Sequence, residues 1–223
     1  MKIVLSNYTK ILSRTCVLDD ICLELESGKI YGFVGKNGCG KTMLMRAICG
    51  LIVPTSGEIV IDGKQLGKDI SFPPSVGALI ENPGFISGYT GYKNLKYLSQ
   101  IQGQISEKEI CDVLESVGLD PKDRRTYRKY SLGMRQKLGI AGAIIGKPQL
   151  IILDEPFNGL DEETHQRIHQ LILDLKTSER IIILSCHDRE EIEKLSDSIT
   201  EIKQGKIVCI THKAESNNED KNQ

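Results

Sequence analysis

Residues 130–161, YSLGMRQKLGIAGAIIGKPQLIILDEPFNGLD, constrain the fold more than any other stretch. A Ser-x-Gly helix start, an apolar helix, an apolar strand and the pair Asp154-Glu155 follow one another without a break. Leu150, Ile151, Ile152 and Leu153 form a run of the kind buried on both faces, which in a parallel sheet means helices on either side. The carboxylates close its C-terminal end, where open α/β sheets bind their ligands.

A second motif lies upstream. The apolar run 30–34 leads into Gly35-Lys36-Asn37-Gly38-Cys39-Gly40-Lys41-Thr42, which fits GxxxxGK[ST] and continues into a helical pattern over 41–49 that stops at Gly50. Strand before and helix after are the context that a phosphate-cradling loop requires. Its glycines let successive backbone N–H groups turn toward phosphate oxygens, and the helix N-terminus adds a positive dipole end. Lys41 is then placed for the β- and γ-phosphates and Thr42 for Mg²⁺. Asp154 complements them by holding the Mg²⁺ shell, and Glu155 by orienting the attacking water.

Elsewhere the chain reads as alternating elements. Residues 17–25 and 58–61 alternate as half-buried strands, with turns at 26–29, 54–57 and Asp62-Gly63. Residues of about 85–148 form a helical insert. Thr90 starts a helix bearing Tyr92, Leu95, Leu98 and Ile101, and Ser106 with Glu109 has the capping-box pattern ahead of a helix ending at Gly118. Strands at 150–153 and 180–184, separated by a helix over 162–176, give a parallel strand–helix–strand unit. The polar residues 211–223 read as a disordered tail, leaving 1–210 as one domain.

At 223 residues the chain can bury a substantial core, and its net charge of −1 gives no electrostatic footprint for nucleic acid. The seven cysteines are scattered singly, without CxxC or metal-ligand spacing, and read as free thiols of a reducing compartment. The N-terminus lacks a secretory apolar core, and the longest apolar run, at 138–145, is far short of the ~20 residues of a membrane span.

Taken together, GKNGCGKT, SLGMRQ, LIILDEP, GLD and SCH, in that order, resemble the nucleotide-binding subunit of an ATP-binding-cassette (ABC) transporter over residues of about 2–210. The resemblance implies an α/β P-loop fold with a RecA-like parallel-sheet core, an N-terminal antiparallel β subdomain and a helical subdomain. It implies ATP and Mg²⁺ as ligands, hydrolysis as the activity, and nucleotide contacts from Gly35 through Thr42 with Met43. It implies two subunits, identical or sister chains, sandwiching ATP, with Ser131, Leu132, Gly133, Met134 and Gln136 of one completing the site of the other. His187 then serves as the γ-phosphate switch and Asp161 joins the subunits. A separately encoded integral-membrane permease becomes the partner, which places the subunit in the cytoplasm against the inner face of the membrane. Taken alone, Ser131 and Asp161 are equally good helix caps, and His187 an ordinary structural residue. A soluble ABC ATPase without a transporter, or an exporter ATPase for an unrelated substrate, is the alternative.

Two positions depart from the family pattern. Glu81, in GALIENPG, stands where the family has a glutamine at the metal shell, and this variant is similar to the bacterial exporters of lantibiotic- and bacitracin-type peptides. A carboxylate still suits Mg²⁺, while a neutral exchange without consequence for the substrate is the plainer reading. Leu12 stands where an aromatic residue normally stacks on adenine, a loss of about 1–3 kcal/mol by analogy with base stacking elsewhere. Tyr8, four residues earlier, is the candidate to fold back in its place.

Overall fold

The computed structural model describes residues 1–103, 105–186 and 188–213. The first half runs β1 (Lys2–Leu12), β2 (Thr15–Glu26), β3 (Lys29–Val34), α1 (Lys41–Ile48), β4 (Ser56–Ile61), β5 (Lys64–Gln65) and β6 (Val76–Leu79). Three helices follow, α2 (Gly91–Gln102), α3 (Glu107–Ser116) and, after a 3-10 turn at Tyr127–Lys129, α4 (Leu132–Ile144). The chain then continues through β7 (Leu150–Asp154), α5 (Glu162–Leu175), β8 (Ile181–Ser185), α6 (Arg189–Leu195), β9 (Ser198–Lys203) and β10 (Lys206–His212).

Strands β2-β1-β4-β5 form an antiparallel sheet, and β10-β9-β3-β8-β7-β6 form a second sheet that is parallel except for the β9–β10 hairpin. The second sheet is sandwiched. Side chains alternate along a strand, so Ile151 and Leu153 of β7 enter a core shared with α3–α6, while Leu150 and Ile152 enter another shared with α1 and the first sheet. All five residues of β7 and of β8 are buried, which is why neither strand alternates in sequence. Each buried Leu or Ile there contributes about 1.5–3 kcal/mol.

Local signals account for the helix starts. Thr90 Oγ1 accepts from Lys93 N at 3.2 Å, Ser106 Oγ from Glu109 N at 3.1 Å and Asp161 Oδ1 from Thr164 N at 2.8 Å. β10 carries the ordered chain through Thr211 and His212, two residues into the stretch expected to be a tail, and residues 214–223 lie outside the described set. All seven cysteines are free. No helix among the described residues is long and apolar enough to cross a membrane.

Candidate nucleotide site

β3 ends at Val34 and the chain turns at once into the glycine loop. Gly35 has φ 149°, and a Cβ there would sit 2.2 Å from the Ile202 carbonyl oxygen of β9, so only glycine lets the loop pass. The loop is closed by two bonds of its own: Cys39 N donates to Lys36 O at 3.1 Å, and Lys41 Nζ donates to Gly35 O at 2.7 Å. Lys41 is 6% exposed, so its ammonium is held inside the loop. Gly40 caps α1 without any side-chain bond, whereas Thr90, Ser106, Ser131, Asp161 and Asp188 cap α2 to α6 through side chains. The first N–H groups of α1 thus keep their capacity for an anion.

Beside this loop the end of β7 supplies a connected set of oxygens. Thr42 Oγ1 donates to Asp154 Oδ2 at 2.7 Å, and Ser185 Oγ, at the end of β8, donates to Asp154 Oδ1 at 2.6 Å. The same Ser185 oxygen accepts from Glu155 N at 3.1 Å. Asp154 is 7% exposed, and a carboxylate so buried persists because both oxygens are bonded. Glu155 has φ 51°, a left-handed turn that breaks the strand direction immediately after Asp154. Its carbonyl accepts from Gln136 Nε2 at 2.8 Å, tying α4 to the end of β7. A cleft of ≈ 330 Å³ lies here, lined by Val17, Asn37, Gly38, residues 40–43, Asp154 and Glu155. A wider one of ≈ 830 Å³ adjoins the other side of the loop, lined by residues 34–39, Cys186, Arg189 and 201–204. Burial pushes the Cys186 thiol above its ordinary pKa, so it is a packed rather than an activated cysteine.

A hydroxyl and a buried carboxylate within hydrogen-bond reach are hard oxygen donors of the kind Mg²⁺ takes, with phosphate and water completing its shell. No group of three or more His, Cys, Asp or Glu residues that could hold a metal ion occurs among the described residues.

The remaining expected residues are distributed as follows. Ser131 Oγ accepts from Met134 N at 3.2 Å, so its hydroxyl caps α4. Gly133 lies against the Gly159 carbonyl, where a Cβ would be 2.9 Å away, and Leu132 is largely exposed. Asp161 caps α5, and its bond from the Thr164 backbone holds the carboxyl below the usual range. Glu81 is in the left-handed region and its carboxylate meets Arg46 at 2.8 Å. Leu12 is 40% exposed at the tip of the β1–β2 hairpin and lines neither cleft. Tyr8 does not fold back: its ring is fully buried in the core below the antiparallel sheet, and its hydroxyl donates to Ile52 O at 3.2 Å. His187 lies outside the described residues.

Sequence reasoning missed Ser185 and Arg46. Ser185 was visible as the one polar residue ending an otherwise apolar strand. Arg46 had no signal, because its partner is 35 positions away.

A strand, a glycine loop, a helix and a second parallel strand, one place removed in the sheet and ending in a carboxylate, define a nucleotide-binding ATPase of the P-loop class. The chain belongs to the ATP-binding family of ABC transporters, whose profile, described as ABC transporter, matches residues 18–158. It is 46% identical over 201 residues to the uncharacterised ABC transporter ATP-binding protein YybJ of Bacillus subtilis (strain 168), covering 90% of this chain and 92% of that one. It is 40% identical over 204 residues to the bacitracin transport ATP-binding protein BcrA of Enterococcus faecalis, covering 91% of this chain and 66% of BcrA. With the lantibiotic transport ATP-binding protein SrtF of Streptococcus pyogenes it shares 36% identity over 205 residues, 92% of this chain and 88% of SrtF. Among solved structures, an ATP-binding subunit of an ABC transporter matches with TM-score 0.86 at 24% identity, over 95% of this chain and 90% of the other. A dimeric ATP-binding cassette in a post-hydrolysis state with ADP and Pi matches with TM-score 0.83 at 22% identity, over 94% and 98%. These two likenesses establish the fold.

Proposed function

We propose that the chain binds Mg²⁺ together with ATP at its glycine loop, pairs with a second ABC ATPase subunit, and drives a membrane permease that exports a peptide antibiotic of the bacitracin or lantibiotic class. The observation that carries the chemistry is the bonded series Thr42–Asp154–Ser185–Glu155, which couples phosphate loop to carboxylates. The relatives BcrA and SrtF, named for bacitracin and lantibiotic transport, support the cargo class.

In this reading Lys41 and the first N–H groups of α1 hold the β- and γ-phosphates, with Gly35, Lys36, Asn37, Gly38, Cys39, Gly40 and Met43 shaping the cradle. Thr42 and Asp154 hold Mg²⁺, with Glu81 reaching the same shell. The metal neutralises charge on the phosphates when bound. Glu155 accepts the proton of the attacking water and aligns it, and His187 steadies the γ-phosphate. Ser131 and the N-terminus of α4 face the nucleotide of the partner subunit, with Gly133 allowing close approach. Asp161 lies at the seam. Leu12 gives adenine an apolar contact in place of a stacked ring.

Replacing Glu155 by Gln tests the core of this reading. The variant is expected to bind ATP as tightly as the parent, to lose multiple-turnover hydrolysis, and to accumulate as an ATP-bound dimer in size-exclusion chromatography. Full turnover by the variant overturns the role given to Glu155. Cells lacking the subunit should become sensitive to bacitracin or to a lantibiotic, and unchanged sensitivity to both rejects the cargo.

A further inference from the structure

Helix α1 has Lys41, proposed for the phosphates, and Thr42, proposed for Mg²⁺, in its first turn and Arg46 in its last. Thr42 and Arg46 are four residues apart, so they stand on one face, separated by about one helical turn of ~5.4 Å. Arg46 Nη2 donates to Glu81 Oε2 at 2.8 Å. Thus the carboxylate of Glu81 is docked one turn along the helix that carries the candidate metal ligand.

The segment bearing Glu81 is itself poised. It leaves β6 at Leu79, passes through Glu81 at φ 58°, and is pinned again at Pro83, whose carbonyl accepts from Tyr127 Oη at 2.9 Å. A non-glycine residue in the left-handed region carries backbone strain that its surroundings must hold. The Arg46 and Glu81 side chains are 35% and 57% exposed, so their pair is solvated and separable.

Charge decides where this carboxylate rests. Asp154 already places one negative charge in the buried end of the site, and a second without a cation is repelled. Arg46 supplies the opposite charge until a divalent cation arrives. We propose that Arg46 is a positioning residue for the ATPase reaction, holding Glu81 away from Thr42 and Asp154 and competing with Mg²⁺ for its carboxylate. The inference rests on the reading of Glu81 as part of the metal shell. It also gives the charge at position 81 a use, because a carboxylate pairs with a guanidinium and with a metal through charge as well as through an oxygen lone pair, which the neutral amide of glutamine does not.

The test is the Mg²⁺ concentration for half-maximal ATP hydrolysis by the purified subunit, with parent, Arg46→Met, Arg46→Lys, Glu81→Gln and the Arg46→Met/Glu81→Gln double variant. Release of a solvent-exposed ion pair is worth about 2- to 5-fold, so Arg46→Met is expected to lower that concentration by that factor with the KM for ATP unchanged. Arg46→Lys should return it toward the parent value. In the Glu81→Gln background the Arg46→Met effect should vanish. If Glu81→Gln alters Mg²⁺ dependence but Arg46→Met does not, Arg46 is only a surface pair and the inference falls while the metal role of Glu81 stands. If Glu81→Gln leaves Mg²⁺ dependence untouched, Glu81 is not in the metal shell. Circular dichroism of each variant distinguishes a shifted requirement from a lost fold.

Discussion

Gln136 Nε2, just past the first turn of α4, donates to the backbone carbonyl of Glu155 at 2.8 Å. The helix that begins at Ser131 is thereby fastened to the peptide whose side chain is proposed to align the attacking water. A shift of that helix reaches Glu155 through one bond, without passing through the core. Replacing Gln136 by Leu removes the donor and keeps the volume. A neutral hydrogen bond contributes about 1 kcal/mol, or roughly fivefold in rate. The expected result is a kcat for ATP hydrolysis lower by about that factor with KM for ATP unchanged. An unaltered kcat would show that the bond only shapes the loop.

Ser185→Ala should act on both stability and turnover. The hydroxyl is fully buried and serves Asp154 and Glu155 together, so its loss strips one partner from a buried carboxylate. The expected cost is about 1–3 kcal/mol, read from the urea midpoint at constant m-value. ATP hydrolysis should fall as well. Cysteine at this position, a poorer donor, should give an intermediate value on both scales.

Alkali should loosen the protein through Tyr8. Burial raises the Tyr8 phenol from an ordinary value near 10 to about 12. As pH rises from 10 toward 12 the unfolded chain gives up this proton while the folded one keeps it, so the unfolded state binds fewer protons and stability declines. The stabilising difference is complete below pH 10 and lost through that window. Tyr8→Phe, which cannot ionise, is expected to flatten the decline of stability between pH 10 and 12. Burial lifts the Cys49 thiol to about 12 as well, so a residual slope from about pH 9 should survive in the variant. A slope identical to the parent would remove Tyr8 from the account.

A buried contact between α5 and α6 offers a fourth expectation. Glu191 Oε1 and His169 Nε2 are both buried without a hydrogen-bond partner among the described residues, 3.5 Å apart, with His165 Nε2 3.9 Å from the same oxygen. Glu191→Gln removes a buried charge and offers an amide donor to the imidazole nitrogen. Stability at neutral pH is expected to rise by about 0.5–1.5 kcal/mol in thermal or urea unfolding. A loss of similar size would mean that the carboxylate–imidazole contact is itself stabilising.

Much of this architecture was legible in the amino-acid sequence because its strongest signals are local. The glycine loop, the buried runs at 150–153 and 181–184 and the caps at Thr90 and Ser106 each depend on residues within a few positions of one another. β1 was illegible as a strand because its pairing with β2 shifts register after Leu5, where Asn7 takes φ 48°, so its apolar residues do not alternate. Tyr8 was misjudged for the same reason: the shift turns its ring into the core below the sheet instead of toward a base. β6 carries only Val76 and Leu79 as sizeable apolar residues, too short a signal for a strand. Arg46, in the last turn of α1, and Glu81, just after β6, meet across 35 positions, which no spacing along the chain reports.

The oxygen shared at position 185 has a consequence for how this site can change over generations. One atom braces the carboxylate beside the phosphate loop and the backbone of the residue proposed to handle water, so the two halves of the chemistry have no independent adjustment. Mutations that soften one soften the other, and a slow but intact hydrolase is hard to reach by drift at this spot. Tuning of speed has to come from outside the strand ends, from places such as the α1–Glu81 contact and the amide of Gln136, where a single change touches only one half.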